Sequence, residues 1–367
     1  MADIRDHDAW SDGLARVVQC LKILANGARG AQVEELRRIA FDLIPTLAVA
    51  DPEVAGKTAI TLGAFVEFGL PPRVVAADLL KGLEQTSELL KAFKDRVHQE
   101  VPEPAQEPQE EAGGYWVDER YVGPELAEEF WRQDRRLPQA NASMGTWYPP
   151  VVAALARDRE VLQQAQQNKR LLELVTELDI TYVSMLLRLL VRETLLVLHP
   201  DTAKGFLVLI DGVADNFQLH TLLADSLIAE RGFLRRKGPA WGIPGKRPSS
   251  KVAATMRGDG PPSIETPSMG VWNLYNWTAL GEDGRLPESM DSTHWIWNEG
   301  VPADIRPFEG QRVVLLGPPS YPRSWNTARV ILPLKPTVEV QQVLEEHEVS
   351  NWLRRLAAAR RPASGDH

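Results

Sequence analysis

The sequence has little of what identifies a secreted, membrane-bound or thiol-dependent protein. It contains a single cysteine, Cys20, among 367 residues. This excludes a framework of intrachain disulfides and argues against thiol catalysis. On a helical pattern, such a cysteine is expected to be a small buried apolar residue. The charged start of the chain, Met1–Asp12, lacks the apolar run of a signal peptide, and we therefore expect a cytoplasmic protein.

The sequence also lacks a motif that identifies a reaction. Gly56, Lys57 and Thr58 look like the end of a phosphate-binding loop, but position 51, where the first glycine of that loop would stand, is Asp51. A carboxylate there would repel the phosphates, which argues against nucleotide binding at this segment. No serine nucleophile elbow or paired Cys-x-x-Cys is present. The cofactor and any bound metal stay unknown at this stage.

One apolar run could be either a membrane-spanning helix or a helix buried in the core. Ile180–Leu198 is long enough to cross a bilayer, but it contains Arg188 and Arg192. Each arginine at a helix centre costs about 2.5 to 3.5 kcal/mol on insertion scales, which argues against a membrane span. Thr181 and the two arginines fall on one stripe of a helix whose other faces are apolar. The pattern predicts a central helix of a bundle.

Composition divides the chain into six parts, and the fold class is mainly α with a C-terminal α+β part. The parts are a helical-repeat-like or bundle module (1–100), an acidic Pro-rich linker (101–114), a helical middle domain with one short strand (115–230), a basic Gly/Pro-rich loop (231–260), a Trp-rich α+β domain (261–361) and a tail (362–367). Strands are predicted at 205–210, 270–277, 294–297, 312–316 and 328–332, and a closing helix at 338–359.

Charge is distributed in two opposite blocks. Residues 231–257 hold eight Lys or Arg and no acid, whereas residues 100–129 hold ten acids and one base, in a chain of net charge -9. The basic block is a solvated linker, a nucleic-acid contact with Trp241 as a stacking group, or a segment that associates with the acidic block or another anionic partner. The candidate anion-binding or partner-binding residues are Arg235, Arg236, Lys237, Trp241, Lys246 and Arg247.

Two groups of residues could carry chemistry. Asp211 follows a predicted strand, with Asp215 and His220 close behind it, and acids at the end of a strand often contact ligands. His294 and Glu299 lie among tryptophans and could act as an acid and a base. Each also has a structural interpretation as a turn, a helix cap or a satisfied histidine. The tryptophans at 272, 277, 295, 297 and 325 are expected to be mainly buried.

The sequence favours a cytoplasmic, multi-domain interaction or regulatory protein that acts through protein–protein contacts. The alternative is a hydrolase-type enzyme, with or without a metal, whose site is formed by the middle and C-terminal domains. Its catalytic residues would be Asp211, Asp215, His220, His294 and Glu299. A protein partner is expected, and nucleic acid is the alternative partner of the segment 231–257. The oligomeric state does not follow from the sequence.

Overall fold

The computed structural model describes residues 4–49, 51–101, 114–231, 236–287, 292–319 and 321–360. The chain forms two compact units, residues 1–187 and 188–367. Residues 102–113, which include nearly all of the predicted linker, lie outside the described residues, so the linker stays a prediction. No described helix is long and apolar enough to cross a membrane.

The first unit is helical apart from one short hairpin. Its elements are α1 (Ile4–Gly27), α2 (Val33–Val49), α3 (Pro52–Glu67), α4 (Ala76–Glu100), β1 (Tyr115–Val117), β2 (Arg120–Val122), α5 (Pro124–Asp134), α6 (Arg136–Arg157), α7 (Arg159–Ala165), α8 (Lys169–Glu177) and α9 (Thr181–Leu187). Asp51 caps α3 by accepting the amide of Glu53, as aspartate commonly does at this position. Pro45 does not end α2, although proline predicts a break.

Glycines allow the helices of this unit to approach each other closely. A Cβ atom at Gly82 of α4 would lie 2.2 Å from Cη2 of Trp147 on α6, and one at Gly63 of α3 would lie 2.6 Å from Pro150. Trp147 is fully buried. The helix α6 is therefore the centre of the unit's core. The two glycines are needed because a larger residue would leave no room for α6 to pack against α3 and α4, and not because of their backbone freedom.

The second unit is mixed α/β. Its elements are β3 (Glu193–His199), β4 (Lys204–Asp211), α10 (Asn216–Leu227), β5 (Ile228–Arg231), β6 (Arg236–Lys237), β7 (Ile243–Pro244), α11 (Ser250–Arg257), β8 (Ser263–Met269), β9 (Asn273–Asn276), β10 (Pro307–Phe308), β11 (Gln311–Gly317), β12 (Ser324–Ala328), β13 (Thr337–Leu344) and α12 (Glu346–Ala359). Short 3₁₀ turns lie at 200–202, 277–279, 292–294 and 302–304.

The central sheet has a helix on each face. Its strand order is β10-β11-β3-β4-β13, and β9 also pairs with β11. The pair of β3 with β11 is parallel and the other pairs are antiparallel. Leu195 and Val197 of β3 point into the core beneath α10, and Leu196 and Leu198 point into the core beneath α12. Because both faces are covered, the four central residues of β3, Leu195–Leu198, are all apolar rather than alternating with polar residues.

The prediction of one helix over Ile180–Leu198 is wrong, because the apolar residues at its end belong to a strand that is buried on both faces. The helix α9 ends at Leu187, the backbone takes a positive φ of 51° at Arg192, and β3 begins at Glu193. A short, fully apolar run does not distinguish a doubly covered strand from a buried helix by its periodicity. The strands predicted at 205–210 and 312–316 are confirmed as β4 and β11.

Four further predictions in the second unit are corrected. The closing helix starts at Glu346, not at Val338, because the preceding residues pair with β4 as β13. The basic loop predicted at 231–260 contains β6, β7 and α11. Of residues 294–297, only His294 belongs to a 3₁₀ turn, which spans 292–294, and Trp295 forms one isolated bridge. Of residues 328–332, only Ala328 is in a strand, at the end of β12. In the first unit, Cys20 is exposed rather than buried.

Candidate functional site

One group of five aromatic side chains in the second unit is partly or largely exposed. Four of them pack on the core beneath α12 from its outer side, and Trp297 adjoins one of these, Trp295. The group, which we call the aromatic rim, consists of Trp277, Trp295, Trp297, Phe308 and Trp352. Ring centroids are 5.2 Å apart for Trp295 and Trp297, 5.3 Å for Trp277 and Phe308, and 6.5 Å for Phe308 and Trp352.

A cation completes the rim on α12. The guanidinium carbon of Arg355 lies 4.4 Å from the ring centroid of Trp352 and 5.8 Å from that of Phe308. The same guanidinium is paired with Glu309. Contacts with two rings and one carboxylate restrict this arginine to one orientation, and part of its side chain stays accessible.

Trp297 is the most exposed member of the rim, with 51% of its surface accessible, and its loop is fixed by the first turn of α10. The amide of Asn216 donates to Gly300 O at 3.0 Å, and the amide of Phe217 donates to Asn298 O at 3.1 Å. The Asn216 side chain donates to Trp297 O at 2.8 Å. These bonds hold the 297–300 loop and occupy the first amides of the helix, which would otherwise favour an anion.

Asp215 caps the same helix from a buried position. Its carboxylate accepts the amide of Gln218 at 2.7 Å, and only 6% of the residue is exposed. Burial raises the pKa of Asp215 to about 6, against the opposing effect of the bonds from the Gln218 and Phe217 amides. The effect of desolvation on the pKa therefore exceeds that of the capping bonds. At neutral pH, keeping the ionised carboxylate in this buried cap position destabilises the fold.

His220 is a neutral hydrogen-bond acceptor in this structure. Burial, followed by the charge of Arg323, lowers its pKa to about 3. Its Nε2 atom accepts the amides of Val271 at 3.0 Å and Trp272 at 3.4 Å, which assigns the proton to Nδ1. The nearby Asn298 side chain acts to raise the pKa of His220. However, Oδ1 of Asn298 and Nδ1 of His220 do not meet the geometry of a hydrogen bond. A fully buried imidazole in this state joins α10 to the 271–272 backbone.

The other three candidate catalytic residues have different surroundings. Asp211 accepts the amide of Arg192 at 3.3 Å, and His294 Nδ1 lies 3.1 Å from the hydroxyl of Thr278. Glu299 is exposed on the 297–300 loop. No group of three or more His, Cys, Asp or Glu side chains in the described part of the chain could hold a metal ion. Of the five candidate catalytic residues, Asp215 caps the first turn of α10, and Glu299 lies on the 297–300 loop that is hydrogen-bonded to that turn.

Comparisons with protein-family models, with curated proteins and with solved structures find no match to this chain. The residues and their geometry therefore carry the functional argument alone.

One of the candidate basic residues, Arg247, shares a carboxylate with Arg257, which was not a candidate. Arg247 and Arg257 each donate to a different oxygen of Asp225 on α10. Lys246 is exposed. Trp241, with 36% of its surface accessible, contacts Phe206. Of the remaining candidates, Arg235 lies outside the described residues, and Arg236 and Lys237 form β6.

The expectation that the tryptophans are mainly core residues is wrong for Trp297 and holds for Trp272, which is 4% exposed. Trp295 and Trp297 lie together, although residues 294–297 do not form the predicted strand. Asn216 and Asn298, which fix the 297–300 loop, were missed. The only sequence signal for them was the capping position of the preceding Asp215.

Proposed function

We propose that this protein is an interaction protein whose second unit binds a protein partner through the aromatic rim. The observation that carries the proposal is the half-exposed Trp297 on a loop held by three hydrogen bonds. A large apolar ring left in water costs free energy, whereas a ring that is already fixed loses little conformational entropy when a partner covers it.

The composition of the rim supports the same proposal. Tryptophan and arginine are the residues most enriched among those that dominate binding energy at protein interfaces, and the rim combines both types. Arg355 is already oriented by Trp352, Phe308 and Glu309. The hydrolase alternative has less support, because His220 is neutral and uses Nε2 to accept two backbone amides, which is unsuited to proton transfer.

The test begins by finding the partner at the rim. A photo-crosslinking amino acid replaces the exposed Glu299, and a control protein carries it at Glu119, which is exposed in the first unit. We expect one protein to be linked at position 299 and not at position 119. Affinity for that purified protein is then measured for the wild type and for Trp297→Ala.

A matched variant separates recognition from folding. Trp116 lies in the first unit and is 39% exposed, so Trp116→Ala removes a comparable ring elsewhere. We expect Trp297→Ala to lose more than about 2 kcal/mol of binding free energy with an unchanged melting temperature, and Trp116→Ala to bind like the wild type. Equal affinity of the Trp297→Ala variant and the wild type would refute the proposal.

A further inference from the structure

Phe308, which contacts two other rings of the aromatic rim, lies at the end of a tight hairpin. The strands β10 and β11 are joined by Glu309 and Gly310, whose φ angles are 48° and 80°. Positive φ at both residues is typical of a type I′ turn, whose twist matches that of the two strands. Glycine adopts such a φ freely, whereas glutamate adopts it at a cost, and residues held in this way concentrate at functional sites. The turn fixes the Phe308 ring and the carboxylate that pairs with Arg355.

The rings next to Phe308 form clefts rather than a flat surface. The planes of Trp277 and Phe308 are inclined by 60°, and those of Phe308 and Trp352 by 74°. The Trp277 ring is held by its indole N–H, which donates to Pro307 O at 3.2 Å. Neighbouring ring centroids are 5.3 and 6.5 Å apart. These spacings are close to the roughly 6 Å that separates residues i and i+2 of a polyproline II helix, which rises about 3.1 Å per residue.

Two tryptophans of the rim present unused hydrogen-bond donors. The indole N–H groups of Trp297 and Trp352 have no hydrogen-bond partner among the described residues, and neither is enclosed, in contrast to Nε1 of Trp295. A partner that covers the rim must supply acceptors for these donors, because a buried donor without an acceptor costs free energy. The rim therefore favours a ligand with free carbonyl groups.

The face that carries Phe308 also has an excess of positive charge. Arg306 O accepts the amide of Val313 at 3.4 Å, so Arg306 continues β10. Residues two apart in a strand share a face, which places Arg306 on the same face as Phe308. Arg306 is exposed and has no ion-pair partner among the described residues, whereas Arg355 is paired with Glu309. Two arginines against one glutamate favour an acidic ligand.

We propose that the aromatic rim binds an acidic, proline-rich segment of a partner protein in the polyproline II conformation. Prolines would lie in the clefts between Trp277, Phe308 and Trp352, and an acidic side chain would face Arg306. Proline has no N–H group and a polyproline II helix has no internal hydrogen bonds, so such a segment offers the acceptors that the indole donors need. An amphipathic helix does not, because its carbonyl groups are bonded within the helix. This inference rests on the proposed function and names the kind of partner.

The experiment measures the binding of the full-length protein to a fluorescein-labelled peptide of Glu-Pro-Pro repeats by anisotropy. With three residues per turn, this repeat places its glutamates along one face and its prolines along the others. We expect Trp352→Phe, which keeps a ring and removes the indole donor, to weaken binding by about 2- to 12-fold. We expect Arg306→Gln to weaken it by about 2- to 5-fold at low salt and to have no effect at about 1 M salt. Trp116→Phe and Arg38→Gln change exposed residues of the first unit and should bind like the wild type.

A second peptide and a second variant test the conformation and the source of the ligand. A peptide of Glu-Ala-Ala repeats has the same charge without prolines and should bind at least tenfold more weakly. The chain's own residues 101–114 are also acidic and proline-rich, so Pro102, Pro104 and Pro108 are replaced together by serine. This variant should bind the peptide like the wild type. Tighter binding would assign the rim to the chain's own segment and overturn the assignment to a partner.

The remaining outcomes separate this inference from the proposed function. No binding of the Glu-Pro-Pro peptide at low salt, equal binding of the Glu-Ala-Ala peptide, unchanged affinity of Trp352→Phe and Arg306→Gln, or an equal loss in the control variants would each overturn the inference. If a protein is nevertheless crosslinked at position 299 and its affinity depends on Trp297, the rim remains an interaction site for a partner of another kind. If that crosslink also fails, the proposed function is overturned with the inference.

Discussion

Replacing Asp215 with asparagine should stabilise the second unit at neutral pH. The ordinary pKa of an aspartate is 3.8, and burial raises that of Asp215 to about 6. Between these values the unfolded chain has lost the proton and the folded chain still holds it, so stability falls as pH rises from about 4 to 6. The loss amounts to about 3 kcal/mol, since each pKa unit corresponds to about 1.36 kcal/mol.

Asparagine avoids this loss and keeps the cap. Its side chain is neutral at every pH, and its carbonyl oxygen can accept the Gln218 amide as a capping residue does. We therefore expect Asp215→Asn to be more stable than the wild type by about 2 to 3 kcal/mol at pH 7.5, and equally stable at pH 4. The pKa of His220 is lowered, so both proteins also lose stability as pH falls below about 6.5, and this contribution cancels in the comparison.

Urea unfolding followed by tryptophan fluorescence, repeated from pH 4 to pH 8, measures the difference. Transitions of the two units are separated by following hydrogen exchange of the α10 amides under the same conditions. A variant that is less stable than the wild type at pH 7.5 would refute the reasoning, because it would mean that the capping bonds outweigh desolvation. A difference that does not change with pH would refute it as well.

Three further predictions concern packing, charge and the linker. Gly82→Ala should destabilise the first unit by about 1 to 3 kcal/mol through its clash with Trp147, measured as a lower melting temperature, whereas Gly145→Ala, with nothing within 4 Å of the new Cβ atom, should not. Asp225→Ala should cost about 1.5 to 3 kcal/mol in urea unfolding, because two arginines lose their shared carboxylate, and an unchanged midpoint would contradict this. Limited proteolysis should cut first within Val101–Gly114, and earlier cuts within residues 8–98 would contradict the linker prediction.

The fold could be predicted where the sequence pattern of a segment is enough to distinguish a helix from a strand. The helices of the first unit have an apolar stripe, and β4 is a short apolar run closed by an Asp-Gly turn. The prediction failed for β3, because its pattern depends on helices that cover both faces from distant parts of the chain. It failed for β13 because the apolar residues before Glu346 fitted the period of the helix that follows them.

The candidate site was predictable only in part for a related reason. The sequence drew attention to Trp295 and Trp297, but the exposure of Trp297 depends on hydrogen bonds between the 297–300 loop and α10. The side-chain amide of Asn216 and the backbone carbonyl of Asn298 belong to that junction, and no sequence spacing rule pairs residues so far apart. The raised pKa of Asp215 likewise comes from burial, which tertiary packing determines.

The parallel pairing of β3 with β11 has a consequence for how this unit folds. Leu195 of β3 pairs with Arg312 of β11, so the middle of the sheet cannot close until a distant part of the chain has been synthesised. Until then the hairpin of β3 and β4 has an apolar strand with an open edge, and such long-range pairing is slow. A chain that is truncated before Gln311 would keep that edge open and should aggregate rather than fold.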